Sequence, residues 1–385
     1  MNVKALNAKF EEYFGKSDRK ISHFLAPGCL KLMGDHVDYN GGSVLTINTP
    51  MGIIISISER EDDLINLQST TENKVVEINI NDSLKFNPTH GWGNYPVAVI
   101  KYLKLAEMPL KGANILFTGD LPSREGLGAS AAIEVATGFA MMHLMAKKID
   151  RVALALLCHH AHNEFFDDYS GIGVHFGITN GKAGHALELD TQNLKTKHIE
   201  FDTDPFEVLV ITPGLEREGH SGIGDKRKDE CFRALMILKQ KMSIQYLCDA
   251  TFSDAEDLIE DEVLSARARH VVWENQYVFE ASEAIEERSW GDLGESFDAS
   301  HLSLAGDFQV SSEELDLLVD IVRMIDGCIG AKMTGDHESG SVLALVLKEH
   351  FDNLKAIVTE RFQAIAGLTP DFFHCTPCKG VHIIK

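Results

Sequence analysis

The rhythm of hydrophobic and polar positions changes several times along the chain. The opening "MNVKALNAKFEEYFGKSDRK" predicts a short amphipathic helix. Strand rhythm follows in "SVLTINTPMGIIISISER", "NLQST", "KVVEINI" and "ANILFTGDLP", broken by a helical stretch near "NYPVAVIKYLKLA". The period turns helical again through "GASAAIEVATGFAMMHLMAKK" and "RVALALLCHHAHNEFF" before "KAGHALELD" returns to strand. A proline turn in "FDTDPFEVLVITPG" leads into another buried strand. The remainder reads as mostly helical until "SGSVLALVLK" and the terminal "GVHIIK". This mixture predicts an α+β protein. At 385 residues the chain can bury two cores, and a soft boundary near residue 200 divides it into 1–200 and 201–385.

Charge narrows the partners. Lys plus Arg total 36 against 58 for Asp plus Glu, a net charge of −22. Such an excess of acid repels nucleic acid and anionic membrane, although backbone N–H groups can still hold a nucleotide locally. The first residues lack the apolar core of a secretory signal, and "MGIIISIS" is strand-sized rather than membrane-spanning. Seven cysteines without regular spacing suit reduced thiols. The expectation is a cytoplasmic monomer with no nucleic-acid or membrane partner.

Two segments carry candidate chemistry. "FLAPGCLKLMGDHVDYNGG", residues 24–42, reads as a strand ending in a loop that crowds Asp35, His36, Asp38, Tyr39 and Asn40 together. Short donors and acceptors on one loop suit a hydroxyl-rich ligand, since a misplaced hydroxyl leaves a buried polar group unpaired. A self-capping loop is the plainer alternative. "LPSREGLGASAAIEVA", residues 121–136, ends a strand with glycines and opens a helix of small residues. Gly126 and Gly128 would let backbone approach a phosphate, and Ser130 would offer a hydroxyl to phosphate or Mg²⁺. It is not a Walker A loop, and close helix packing alone would also explain it.

Other clusters read more plainly. His159 and His162 stand three apart beside His160 and Glu164, but without a third ligand they are ordinary helix histidines. "HCTPC", His374 to Cys378, is a lone Cys-x-x-Cys of Cys375 and Cys378 beside a histidine and reads as a structural tail. "DKRKDE" reads as a solvated helix start, and Asp167 and Asp168 as solvated acids at a turn.

Taken together, three segments resemble the motifs of the GHMP small-molecule kinases, specifically the galactokinase family. "APGCLKLMGDHVDYNGG" resembles the sugar-binding signature, "EGLGASAAIEVA" the phosphate loop, and "AKMTGDHESGSVLALV" the third motif. "WGNYPVAVIKYL", "NGKAGHALELD" and "SHLSLAGDFQVSSEELDLLV" resemble connecting segments. The resemblance implies a two-domain GHMP kinase fold with its active site in the inter-domain cleft. It implies ATP and Mg²⁺ over Gly126, Leu127, Gly128, Ala129, Ser130 and Ala131, with Trp92 on the nucleotide side and Ser130 on the metal. It implies Asp35, His36, Asp38 and Tyr39 as sugar contacts, and transfer of the γ-phosphoryl group to the anomeric hydroxyl of galactose or a related sugar.

The departures fall on chemistry. The family's arginine before the sugar loop aligns with Cys29. The aspartate of its Gly-Ile-Met-Asp-Gln-Phe segment aligns with Val174 in "GIGVHF", residues 171–176, and the glutamine with His175. A glutamate that often holds Mg²⁺ aligns with His162. Two loop serines are Gly128 and Ala129, third-motif glycines are His337 and Ser339, and a sugar-contacting tyrosine is Gly224. Lys31, sharing a strand face with Cys29, could replace the lost cation. His175 could serve as base if turned inward, although strand geometry would point it away. Two readings follow: a sugar kinase, impaired or altered, or a catalytically defective relative that acts as a sugar- or nucleotide-binding sensor or partner protein.

Overall fold

The computed structural model describes residues 2–122, 126–214, 222–335 and 340–385. Its strands are β1 (Ser22–Met33), β2 (Ser43–Glu59), β3 (Leu64–Ser69), β4 (Val76–Asn79), β5 (Ala113–Gly119), β6 (His185–Asp190), β7 (Lys195–Glu200), β8 (Phe206–Thr212), β9 (Cys328–Thr334), β10 (Ser341–Leu347), β11 (Asp371–His374) and β12 (His382–Ile383). Its helices are α1 (Val3–Phe14), α2 (Asn94–Leu105), α3 (Ala129–Leu144), α4 (Arg151–Phe166), α5 (Gly173–Asn180), α6 (Ile223–Lys241), α7 (Phe252–Leu258), α8 (Glu262–Glu287), α9 (Trp290–Ser303), α10 (Glu313–Arg323) and α11 (Phe351–Ala366). Among the described residues no helix is long and apolar enough to cross a membrane.

Two sheets organise these elements. One runs β12-β1-β2-β5-β3-β4, with β6 and β7 continuing from the other end of the long β2. The second runs β11-β8-β10-β9 and is antiparallel throughout. The last strand, β12, returns to pair with β1, so the chain end closes on the first sheet.

The period-two geometry of β1 explains how the layers meet. Leu30 and Leu32 face the second sheet, packing with Val208, Val210, Leu343 and Leu345 and with Val278 of α8. Phe24, Ala26 and Cys29 face the opposite layer, packing with Val99, Val135 and Phe139 of α2 and α3. The amphipathic α10, with Leu315, Leu318, Val319 and Val322 buried, helps form a further core with α8, β9 and α11.

One local expectation is corrected. Residues 173–180 form helix α5 rather than a strand. Strand alternation therefore does not apply to Val174 and His175, and the direction of His175 follows helical geometry instead.

Candidate active site

Strand β1 delivers the polar loop. Beyond Met33 the chain turns through Gly34 and His36, both at positive φ (97° and 65°), and a short helical turn over Asp38–Asn40. A non-glycine residue in that region is costly and persists only where neighbours fix it. Here Asn40 Nδ2 donates to the His36 carbonyl at 2.8 Å, His36 Nδ1 lies 2.9 Å from the Tyr39 hydroxyl, and the His36 ring packs 4.5 Å from that of Phe308.

The loop acids are buried rather than open. Lys332 Nζ on β9 donates to Asp35 Oδ2 at 2.6 Å and lies 3.6 Å from Glu274 Oε1 on α8. Glu274 Oε1 also accepts from the Gly34 and Asp35 amides at 2.9 and 3.1 Å. Burial pushes the Asp35 pKa up, with Lys332 opposing and Glu274 reinforcing the rise. Burial acts to raise Glu274 as well, but Lys332 and His270 hold it lowered. Asp38, whose side chain is fully buried, accepts from the Gly173 amide at 3.1 Å and pairs with Lys31 at 3.3 Å. Lys31 thus sits beside the sugar loop, on the Cys29 face of β1.

Helix α3 begins at Ala129 after Gly128, which caps it at φ 69° without any side-chain hydrogen bond to the first turn. A helix N-terminus of this kind suits an anion, because its first N–H groups point outward along the dipole. Ala129 and Ser130 are half-buried, while Leu127 and Ala131 are buried. The Cys29 amide donates to the Leu127 carbonyl at 2.9 Å, fastening β1 to the loop before α3.

Cys29 and Val174 fill their surroundings with apolar matter. Burial pushes the Cys29 thiol up to about 12, so it stays protonated. A Cβ at Gly177 would stand 2.5 Å from Cys29 Sγ, and a Cβ at Gly128 would stand 2.5 Å from Val174 Cγ1. The glycine at the phosphate loop is thus matched to the valine that faces it.

A second buried cluster lies along α3, α4 and α5. Glu134, fully buried, receives His162 Nδ1 on Oε1 at 2.8 Å and His175 Nε2 on Oε2 at 2.7 Å. His162 Nε2 reaches Asp168 Oδ2 at 3.2 Å, and Lys228 Nζ donates to Asp168 Oδ1 at 2.6 Å. Burial acts against the His162 charge, but its bonds to Asp168 and Glu134 raise the pKa to about 10. Burial likewise acts to raise Glu134, and the two rings hold it lowered. Asp168 is held well below the usual carboxylate range by His162 and Lys228, against burial.

Several sequence expectations need correction here. His175 turns inward, to Glu134. His162 and Asp168 join one bonded cluster rather than standing as an ordinary helix histidine and a solvated acid, whereas His159 Nε2 meets the Ser170 carbonyl at 2.7 Å. Arg227, in the stretch read as a solvated helix start, is buried and bonds Glu230 Oε2 at 2.8 Å, which Arg267 also reaches at 2.7 Å. Trp92 packs edge-on against Phe117 at 5.0 Å. Gly224 lies in the first turn of α6. Cys375 is buried and its amide bonds the Val208 carbonyl, while Cys378 Sγ lies 2.8 Å from the Thr49 carbonyl. His337 and Ser339 lie outside the described residues.

Glu134, Lys332 and Glu274 were not singled out from the sequence, although a signal existed. Glu134 interrupts a run of Ala, Ile and Val, and Lys332 stands between Ala331 and Met333. A charge within an apolar element demands a buried partner.

Comparison with known proteins matches this geometry. Residues 8–59 match the model of the galactokinase galactose-binding signature, and residues 94–179 that of the GHMP kinases N terminal domain. A galactokinase of Clostridium tetani is 32% identical over 100% of this chain and 98% of its own. One from Streptococcus thermophilus is 33% identical over the whole of both. The crystal structure of Lactococcus lactis galactokinase complexed with galactose superposes with a TM-score of 0.95 at 30% identity, covering 99% of each chain. A mevalonate kinase at 22% identity and a TM-score of 0.65, covering 93% of this chain and 98% of its own, shares the fold. The chain belongs to the galactokinase family of GHMP kinases.

Proposed function

We propose that the protein binds galactose or a related hexose together with ATP and transfers the γ-phosphoryl group to the anomeric hydroxyl, slowly. The observation that carries this is the construction of β1. One rigid strand ends in the Asp35–Tyr39 loop and is hydrogen-bonded through Cys29 to the phosphate loop at Leu127. In this reading one element positions both acceptor and donor, and positioning supplies much of the barrier reduction in phosphoryl transfer.

In this reading Asp35, His36, Asp38 and Tyr39 contact the sugar. Gly126, Leu127, Gly128, Ala129, Ser130 and Ala131 cradle the phosphates, and Trp92 flanks the nucleotide. Lys31, paired with Asp38, supplies a cation at the sugar loop, where Lys332 already pairs with Asp35. His175 spends its Nε2 on Glu134, so no base is assigned. A missing general base costs roughly 10²- to 10⁴-fold and leaves positioning intact. The cytoplasm and the monomeric state complete the reading; the cysteines of the chain are free thiols.

Mg²⁺ fits these residues poorly. Ser130 offers an oxygen, but position 162 holds an imidazole, and both oxygens of Glu134 are taken by rings. Mg²⁺ demands oxygen ligands, so no step is routed through a protein-held magnesium ion.

The test is ADP formation from ATP over a sugar panel, alongside calorimetric binding of the same sugars. Slow galactose-dependent turnover, lost in a folded Asp38→Asn variant, is the expected result. Sugar binding with no turnover would overturn the kinase reading in favour of a sensor.

A further inference from the structure

We propose that Glu134, His162 and His175 form a binding site for a divalent d-block cation of the zinc type. Each of the three side chains offers one ligand atom, and these atoms all lie within 4.8 Å of one another. Around a tetrahedral ion with bonds of about 2.1 Å, ligand atoms stand roughly 3.4 Å apart, so small side-chain rotations suffice. Two imidazole nitrogens and one carboxylate oxygen are a donor set that zinc accepts readily, and three protein ligands leave one position open to water.

The frame is rigid and the support is already in place. The three ligands come from three mutually packed helices, α3, α4 and α5, rather than from a loop. His162 presents Nδ1 to the cluster while its other nitrogen, Nε2, meets Asp168 at 3.2 Å. A carboxylate behind a ligating histidine is the usual way such a ring is oriented and made a better donor. Asp168 is itself anchored by Lys228 at 2.6 Å, and the His162 ring lies parallel to Tyr95, 4° apart with centroids 6.2 Å distant. Among the described residues His175 Nδ1 is buried without a hydrogen bond, and the ring is set by Glu134 and by edge-on contacts with His159 and His162. In the metal-free state protons bridge Glu134 to both rings, and the cation takes their place. Glu134 lies one helical turn beyond Ser130, so the site adjoins the phosphate loop. The inference concerns occupancy and stands whether or not the protein turns over.

The full chain, stripped with chelator, is titrated with Zn²⁺ by calorimetry, and bound metal is counted after dialysis. One zinc per chain is expected in wild type and in Cys375→Ser/Cys378→Ser, and none at this site in His162→Gln/His175→Gln. Asp168→Asn, a milder change at a half-exposed residue, is expected to weaken binding about 10- to 100-fold. Co²⁺ loaded into wild type should give the visible bands of a four-coordinate nitrogen–oxygen site without thiolate charge transfer, a readout that needs no variant. Absence of stoichiometric Zn²⁺, unchanged binding in the histidine double variant, loss in the cysteine double variant, or equal competition by Mg²⁺ would each overturn the proposal.

Discussion

The two ends of strand β1 have been built on opposite principles. At the sugar-loop end, two buried acids, Asp35 and Glu274, both lie within hydrogen-bonding or ion-pair distance of buried Lys332, the three drawn from a loop, α8 and β9. Two strand turns back, Cys29, Val174, Gly128 and Gly177 meet as small apolar surfaces with no charge among them. A buried charge is kept only where its partner is kept, because either one alone is heavily penalised. An apolar contact tolerates replacement as long as the volumes match. The contacts of Cys29 with Gly177 and of Val174 with Gly128 are therefore a matter of matched volumes, whereas the cluster at Asp35 is a matter of matched charge.

Breaking the charged end should have the largest effect. Lys332→Met leaves Asp35 and Glu274 buried without their cation and is expected to cost about 3–5 kcal/mol in urea unfolding. A loss below about 1 kcal/mol would mean the cluster is hydrated and not the clamp described. The apolar end is probed by Gly128→Ser, which puts a side chain at φ 69° against Val174 Cγ1. The expected cost is about 2–4 kcal/mol, from backbone strain and overpacking together. Adding Val174→Ala should return about 1–2 kcal/mol of it. Strict additivity of the two changes would show that the glycine and the valine are not matched.

Legibility from sequence follows the same division. The strand and helix rhythm located β1, β2, α3 and α4 because each buries one face with a fixed period. The segments at 24–42 and 121–136 stood out because turn glycines and clustered polar residues sit at short range, and both fall within the matched family segments. The cluster around Glu134 was not, since its members are 28 and 41 positions apart and meet only through helix packing. Nor was the inward turn of His175: six residues with two glycines carry too little period to tell α5 from a strand. Lys332 and Asp35, 297 positions apart, meet only when the second sheet docks on the first.

The Glu134 cluster sharpens the comparison through pH. The folded-state pKa of His162 is raised, to about 10, above its ordinary 6.5. Its stabilising contribution is thus complete below pH 6.5 and is lost as pH rises through 10, at no more than about 1.4 kcal/mol per unit. Thermal unfolding in chelator should fall faster between pH 7 and 9.5 for wild type than for His162→Gln. Parallel slopes would show that the imidazolium is not held by Glu134 and Asp168, and that this polar cluster is unlike the one at Lys332.

The smallest effect tests the apolar end directly. A thiol with a pKa near 12 holds, at pH 8, roughly 10³-fold less thiolate than one at its ordinary value of 9. Burial adds to that protection by denying access. Brief arylation of the native protein, read by peptide mass, should label the partly exposed Cys378, whose thiol is pushed up only to about 11, well before Cys29. Denaturant should make both react alike. Prompt labelling of Cys29 in the native state would mean that water reaches this part of β1. The close contact of Cys29 with Gly177 would then be wrong, and a thiolate nucleophile would have to be considered there.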